Sequence, residues 1–140
     1  MNTKFTGKQG EKIAAGYLGR EGYKILDRNF FFRGANGPKI AEVDIIARQK
    51  DCIVFVEVKT SNKKSSQPFL AQDKVNSEKE RKIAMAAEIW LIKHKIPLDS
   101  KWRIDVIAVE LLKDDRPKII RWIFGPKLKI SHFKNIAVGH

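Results

Sequence analysis

Four charged side chains cluster in the stretch "AEVDIIARQKDCIVFVEVKT", residues 41–60: Glu42 and Asp44 in its first half, Glu57 and Lys59 in its second. Both halves have the apolar patterning of strands, and the polar "RQKD" between them reads as a hairpin turn. With the turn centred on Lys50 and Asp51, facing positions sum to 101, which sets Asp44 opposite Glu57 and Glu42 opposite Lys59. Facing side chains on paired strands lie about 4.5–5.5 Å apart. Alternation with period 2 puts Glu42 and Asp44 on one face, and Glu57 and Lys59 likewise, so all four are expected in one patch. A turn shifted by one residue would destroy that register.

Three carboxylates at such spacing repel one another unless a counter-ion joins them. A hard divalent cation, Mg²⁺ or Mn²⁺, meets that need, with Asp44, Glu57 and the Val58 carbonyl as oxygen ligands and water and phosphate completing the shell. Such a metal makes water more acidic, and Lys59 beside it can position or deprotonate that water and stabilise charge developing on phosphorus. The constellation fits phosphodiester hydrolysis. The plainer alternative is a solvated strand end with ordinary cross-strand ion pairs. The apolar run "CIVFV" directly before Glu57, the acid facing it and the basic chain around it favour the metal.

The elements that must position these groups follow from the rest of the chain. Residues 5–21 have the spacing of a helix, with Ile13, Ala14, Tyr17 and Leu18 as its apolar stripe and Gly22 placed to end it. Glu11 falls on that stripe, and by spacing alone it reads first as a rim acid in the first helical turns. A strand over 23–33 and the turn residues "GANGP" lead into the hairpin strands at 40–48 and 52–59. After a polar stretch, 61–76, Ser77 and Glu80 form a capping box for a second helix. That helix carries Ile83, Ala86, Ala87, Trp90 and Leu91 inward, with His94 as a helix-end residue before Pro97. "WRIDVIAVELL" (102–112) is a further strand and "PKIIRWIF" (117–124) a possible fifth. The second helix is long enough to bring the strand at 102 back parallel to the one before it.

The chain has 140 residues and a net charge of +12. That charge points to a polyanionic partner, nucleic acid before membrane. From Arg116 onward there are six Lys/Arg and no acid, interleaved with Trp122, Phe124 and Phe133. Such a tail is either a last strand with solvated lysines or a surface for phosphate contacts and base stacking. No apolar run reaches the 18 residues of a membrane span, and the start lacks a secretory h-region. A lone Cys52 in a strand reads as a small core residue in a reducing cytoplasm. No Gly-rich phosphate loop is present.

"EVDIIA" followed after a hairpin by "VFVEVK" resembles the PD-(D/E)-x-K nuclease motif, with Asp44 as its acid and Glu57-Val58-Lys59 as its E-x-K. More narrowly, the chain resembles the YraN family, itself similar to archaeal Holliday-junction resolvases. The matching stretches are "GEKIAAGYL", "GYKILDRN", "EVDIIA", "VFVEVK", Lys79 and "WRIDVIAV", together covering roughly residues 7 to 110. One departure is Ala41, where the family usually has Gly.

The resemblance implies an α/β fold with a restriction-endonuclease-like core: helix, three strands, helix and one or two strands, a mixed sheet flanked by helices. The core would span residues 1–112, with 113–140 as a basic C-terminal strand or tail on the same domain. It implies that Glu11 reaches the active site, touching the metal directly or through water, and that Lys79 faces phosphate or the metal patch. Asp105 and Arg103 also match the family, but the start of a strand parallel to the third is expected far along the sheet from Glu57, so Asp105 reads as structural. The combined expectation is a Mg²⁺- or Mn²⁺-dependent endonuclease acting on DNA, with branched or otherwise structured DNA as a candidate substrate and Lys63, Lys64, Lys74, Lys79 and Lys82 holding phosphates. A homodimer would suit junction cleavage. The alternative is a nucleic-acid-binding accessory protein that keeps the fold without turnover.

Overall fold

In a computed structural model describing residues 5–62 and 76–139, five strands form one mixed sheet with a helix on each face. The order is α1 (Gly7–Arg20), β1 (Lys24–Arg33), β2 (Lys39–Gln49), β3 (Cys52–Ser61), α2 (Ser77–Lys93), β4 (Trp102–Leu111), α3 (Lys118–Phe124) and β5 (Leu128–Gly139). The strands lie in sequence order, β1-β2-β3-β4-β5. Only the β3–β4 pair is parallel, because only there does a helix carry the chain back across the sheet.

Each face of the sheet buries its own core. On one side Ala14 and Leu18 of α1 meet Ile45, Ala47, Val54, Val56, Ile107 and Val109. On the other, Ile83, Ala86, Ala87, Trp90 and Leu91 of α2 pack on Val43, Ile46, Phe55, Trp102 and Ile104. Phe55 is the pivot of that second core, edge-on to Trp90 at 5.9 Å and to Trp102 at 5.7 Å. A fully buried side chain of this size contributes roughly 1.5–3 kcal/mol. Cys52 is buried, as expected of a core residue.

The hairpin has the expected register: Ile45 pairs with Val56, Ala47 with Val54 and Gln49 with Cys52. Lys50 adopts the left-handed conformation (φ 55) that a tight hairpin turn demands. That ladder stops at Ile45 and Val56. Beyond it β2 continues along β1, with Phe30 opposite Val43 and Phe31 opposite Glu42. β3 continues along β4 as far as Ser61 opposite Glu110. The two central strands therefore part like the arms of a fork, with Asp44 and Glu57 at its crotch.

Several expectations are corrected. Val43 packs on the α2 side whereas Ile45 packs on the α1 side, although Ile46 returns to α2. The alternation thus slips by one residue across Asp44, and Glu42, beyond the end of the β2–β3 ladder, pairs with Lys39 instead of facing Lys59. The cap of α2 is Asn76, whose side chain accepts the Lys79 N–H at 2.9 Å. Asn caps as well as Ser does, so the Ser77–Glu80 box does not form. In α1 a capping box does form, between Thr6 and Gln9. Residues 118–124 are the helix α3 rather than a fifth strand. The edge of β4 that such a strand would need is taken by β5.

Candidate metal centre

The apolar strand β3 keeps its alternation to the end, so Glu57 follows Phe55 onto the α2 face and arrives there as a carboxylate with 12% of its side chain exposed. Asp44 is 8% exposed. Its Oδ2 accepts the Val58 N–H at 2.7 Å, in the span where β2 offers β3 no backbone partner. In an extended strand a residue's N–H and C=O face the same neighbour, so the Val58 carbonyl is directed into the fork as well. One oxygen of Glu57, Oε1, faces Lys79 Nζ at 3.6 Å. The other, Oε2, is buried and meets no donor among the described residues, while the Asp44 and Glu57 carboxyls lie within hydrogen-bond reach of each other.

The electrostatics follow from this packing. Burial, and then the Asp44 charge, raise Glu57 to about 7, against the opposing pull of Lys79 and Lys59. Asp44 is raised by burial too, with the Val58 N–H opposing and Glu42 reinforcing the shift. Glu11 is raised by burial and by Asp44. Glu42 itself turns to Lys39 at 3.3 Å and is half exposed, so it acts on the pair through its field alone. Among the described residues no three His, Cys, Asp or Glu side chains form a ready-made cation cage. Two buried carboxylates, one with an oxygen that no described donor meets, suit a hard ion such as Mg²⁺, which keeps much of its water and needs only one or two protein carboxylates.

In the folded protein without metal, Glu57 binds its proton more tightly than in the unfolded chain, where the ordinary value is 4.5. Stability is therefore greatest below pH 4.5 as far as this group is concerned, and falls as pH rises to about 7. Glu57→Gln is expected to flatten that fall and to stabilise metal-free protein at pH 8 by on the order of 2 kcal/mol. Urea denaturation at pH 5 and pH 8 measures it; equal slopes for the two proteins would refute this account of Glu57.

Glu11 lies within the field of Asp44 because α1 packs hard against the end of β3. Gly10 is buried in α1, and a methyl group there would overlap Thr60 Oγ1 and stand 3.2 Å from Thr60 Cβ. Asn62 Nδ2 donates to the Phe5 carbonyl at 3.0 Å and fixes the same approach from the other end. Thr is stiff at χ1 and cannot swing aside cheaply. Gly10→Ala is expected to cost about 1–3 kcal/mol and to weaken Mn²⁺ binding by drawing Glu11 off the fork. Gly16→Ala, on the same helix with only ordinary contact to Arg20, serves as the control and is expected to stabilise by about 0.5–1 kcal/mol. Denaturation and calorimetry of both variants compare them; identical behaviour would refute the tight approach.

Lys59 is half-buried beside Glu57 and acts on its charge. Lys79 and Lys82 line a recess of about 280 Å³ together with Lys39, Ala41 and Glu42. Lys82 also pairs with Glu78 at 3.7 Å. Lys63, Lys64 and Lys74 lie outside the described residues. Lys39 escaped the sequence reading; its place two residues before Ala41 on the Glu42 strand is the signal that could have found it.

Asp105 is not far along the sheet from Glu57. The register sets it beside Val56, one residue away, and only the strand's alternation sends it to the opposite face. There it is fully buried and accepts from Arg103 Nε at 2.9 Å and the Asn135 N–H at 3.0 Å, with His132 Nε2 at 2.8 Å. Arg103 also donates to Tyr23 and Gln49, and His132 Nδ1 meets Tyr17 Oη at 3.0 Å. His94 closes α2, stacked on Trp90 at 4.0 Å.

Residues 10–109 match the family model described as uncharacterised protein family UPF0102. The chain belongs to the UPF0102 family. It is 43% identical over 118 residues to a UPF0102 protein of Geobacter sulfurreducens, covering 84% of this chain and 85% of that one. It is 41% identical over 114 residues to a UPF0102 protein of Clostridioides difficile, covering 81% and 91%. The family match takes in Glu11, Asp44, Glu57, Lys59 and Lys79 and ends before α3. No helix among the described residues is long and apolar enough to cross a membrane.

Proposed function

We propose that this chain is a divalent-metal-dependent nuclease that hydrolyses DNA phosphodiester bonds. The observation that carries the reading is the buried Glu57 carboxylate, held against Asp44 with one oxygen that meets no donor among the described residues. A structural ion pair would satisfy that oxygen or leave it in water. A buried, raised carboxylate next to another, flanked by two lysines, supports a working site.

Asp44, Glu57 and the Val58 carbonyl would hold Mg²⁺ or Mn²⁺, with Glu11 reaching it through water. Bound there, the cation supplies Lewis-acid polarisation of a phosphate and makes nearby water more acidic. Lys59 orients the attacking water and offers a positive charge where negative charge grows on the phosphoryl oxygens. Lys79 is half exposed and free to exchange Glu57 for a substrate phosphate. The recess between Lys39, Lys79 and Lys82 receives the next phosphate along the strand, and the +12 charge of the chain draws the polyanion in.

The test is a panel of synthetic junctions, flaps, duplexes and single strands incubated with pure protein and Mg²⁺ or Mn²⁺, beside a metal-free control. Metal-dependent nicking of at least one substrate is expected. Salt-sensitive binding without nicking of any would replace the nuclease with a non-catalytic binding protein.

A further inference from the structure

α3 is seven residues long, none of them buried. Ile119 is 60% exposed, Trp122 83%, Ile123 56% and Phe124 72%. A helix this short has no stability of its own in water, and among the described residues no core holds it. What fixes it is a staple at its base. Arg116 donates to both oxygens of Asp114 at 2.8 Å and to the Gly125 carbonyl at 2.9 Å, while the Leu112 N–H bonds to the Lys127 carbonyl at 2.9 Å. The excursion between β4 and β5 is thus closed at its neck and holds the helix out into solvent.

Beside α3 lies a recess of about 630 Å³, walled by Phe5, Leu111, Leu112 and Pro126 with Asp114 and Arg121 among its polar lining. A protruding apolar element next to an apolar hollow is a self-complementary surface, because a two-fold rotation brings each to the other. We propose that α3 and this recess form a two-fold interface between two copies of this chain, each helix seated in its partner's recess. The four exposed side chains amount to roughly 500 Å² of apolar surface per copy, at 150–250 Å² for a whole side chain of the larger kind. Doubled, and with the recess walls added, the covered area enters the ~1,200–2,000 Å² range of stable complexes. Exposed apolar patches of more than a few hundred Å² mark interaction sites. Nucleic acid fits this patch less well: Ile119 and Ile123 offer bases no ring to stack on, although Lys118 and Arg121 lie among them.

The interface is independent of the nuclease reading, since self-association is measured without metal or DNA. Sedimentation equilibrium of the full chain from 1 to 100 µM is the experiment, on wild type, Trp122→Glu and Leu112→Glu, with circular dichroism to verify folding. The expected result is a wild-type dimer and self-association weakened by at least about 100-fold in each variant, since Trp is among the residues enriched at interface hot spots. Trp122 is so exposed that its replacement leaves the fold intact, so a monomeric variant reads the interface and not unfolding. A wild type that stays monomeric at 100 µM, or a dimer that both variants preserve, overturns the proposal. So does a monomer whose affinity for a single-stranded oligonucleotide falls on Trp122→Glu, an outcome that gives the patch to nucleic acid.

Discussion

Asp44→Asn protein is expected to bind DNA as the wild type does and to cleave it at least about a thousandfold more slowly, equivalent to roughly 4 kcal/mol of transition-state stabilisation. The reasoning rests on what asparagine keeps and what it loses. Its amide oxygen can still accept the Val58 N–H that Asp44 holds at 2.7 Å, so the fork keeps its shape. Its charge is gone, and an NH₂ donor now faces the place where a cation would sit. The burial that raises Asp44 also means that a neutral group there costs the fold nothing, and thermal stability should be unchanged or slightly higher. Loss of turnover with intact binding and intact folding isolates the metal. Lys59→Ala should likewise lose cleavage and keep binding, through the loss of a positive charge beside Glu57. If both variants still nick the substrates that wild type nicks, Asp44 and Lys59 do not perform the chemistry.

The largest effect on stability is expected on the other face of the sheet. Asp105→Ala should cost about 3–5 kcal/mol. The carboxylate is fully buried, and its two oxygens serve Arg103, His132 and the Asn135 backbone together. Without it Arg103, itself only 12% exposed, keeps among the described residues only the neutral partners Tyr23 and Gln49. These partners come from β2, β4, β5 and the loop after α1, so the damage spreads through the whole sheet. Replacing the pair together, with Arg103→Met and Asp105→Leu, should be much milder because no charge is stranded. The hydrogen bonds from His132 and Arg103 hold Asp105 below its ordinary 3.8 in spite of burial. Its contribution is therefore present at all pH values above 3.8 and is lost as pH falls below that. Urea midpoints at pH 7 and pH 3 measure both effects. An Asp105→Ala midpoint within about 1 kcal/mol of wild type at pH 7 would refute the network's role.

What was legible in the sequence was whatever depends on local period. The hairpin register came out of the turn position and the two apolar runs, because a slip of one residue would have turned Val54 and Val56 to the wrong face. The parallel β3–β4 pair followed from the length of α2. Three features depended on contacts that no local pattern encodes. The slip at Asp44 arises where the strands part, and the alternation "EVDIIA" carries no mark of it. The α1 stripe was readable, but the closeness of Gly10 to Thr60 belongs to two segments fifty residues apart. The Asp105–His132 pair joins strands whose pairing had no sequence signal at all. "PKIIRWIF" misled for a different reason. Its isoleucines and aromatics have strand propensity, yet propensity yields to the tertiary requirement that β5 take the open edge of β4.

One further consequence belongs to the place where Asp44 captures the Val58 amide. A side chain there substitutes for main chain, so the seam between the two central strands is kept unzipped by a single carboxylate. Any apolar residue at that position would give the amide no acceptor but the opposing backbone, and the sheet would be driven to close over Glu57. The acid that is proposed to hold the metal is, on this view, also the wedge that makes room for it.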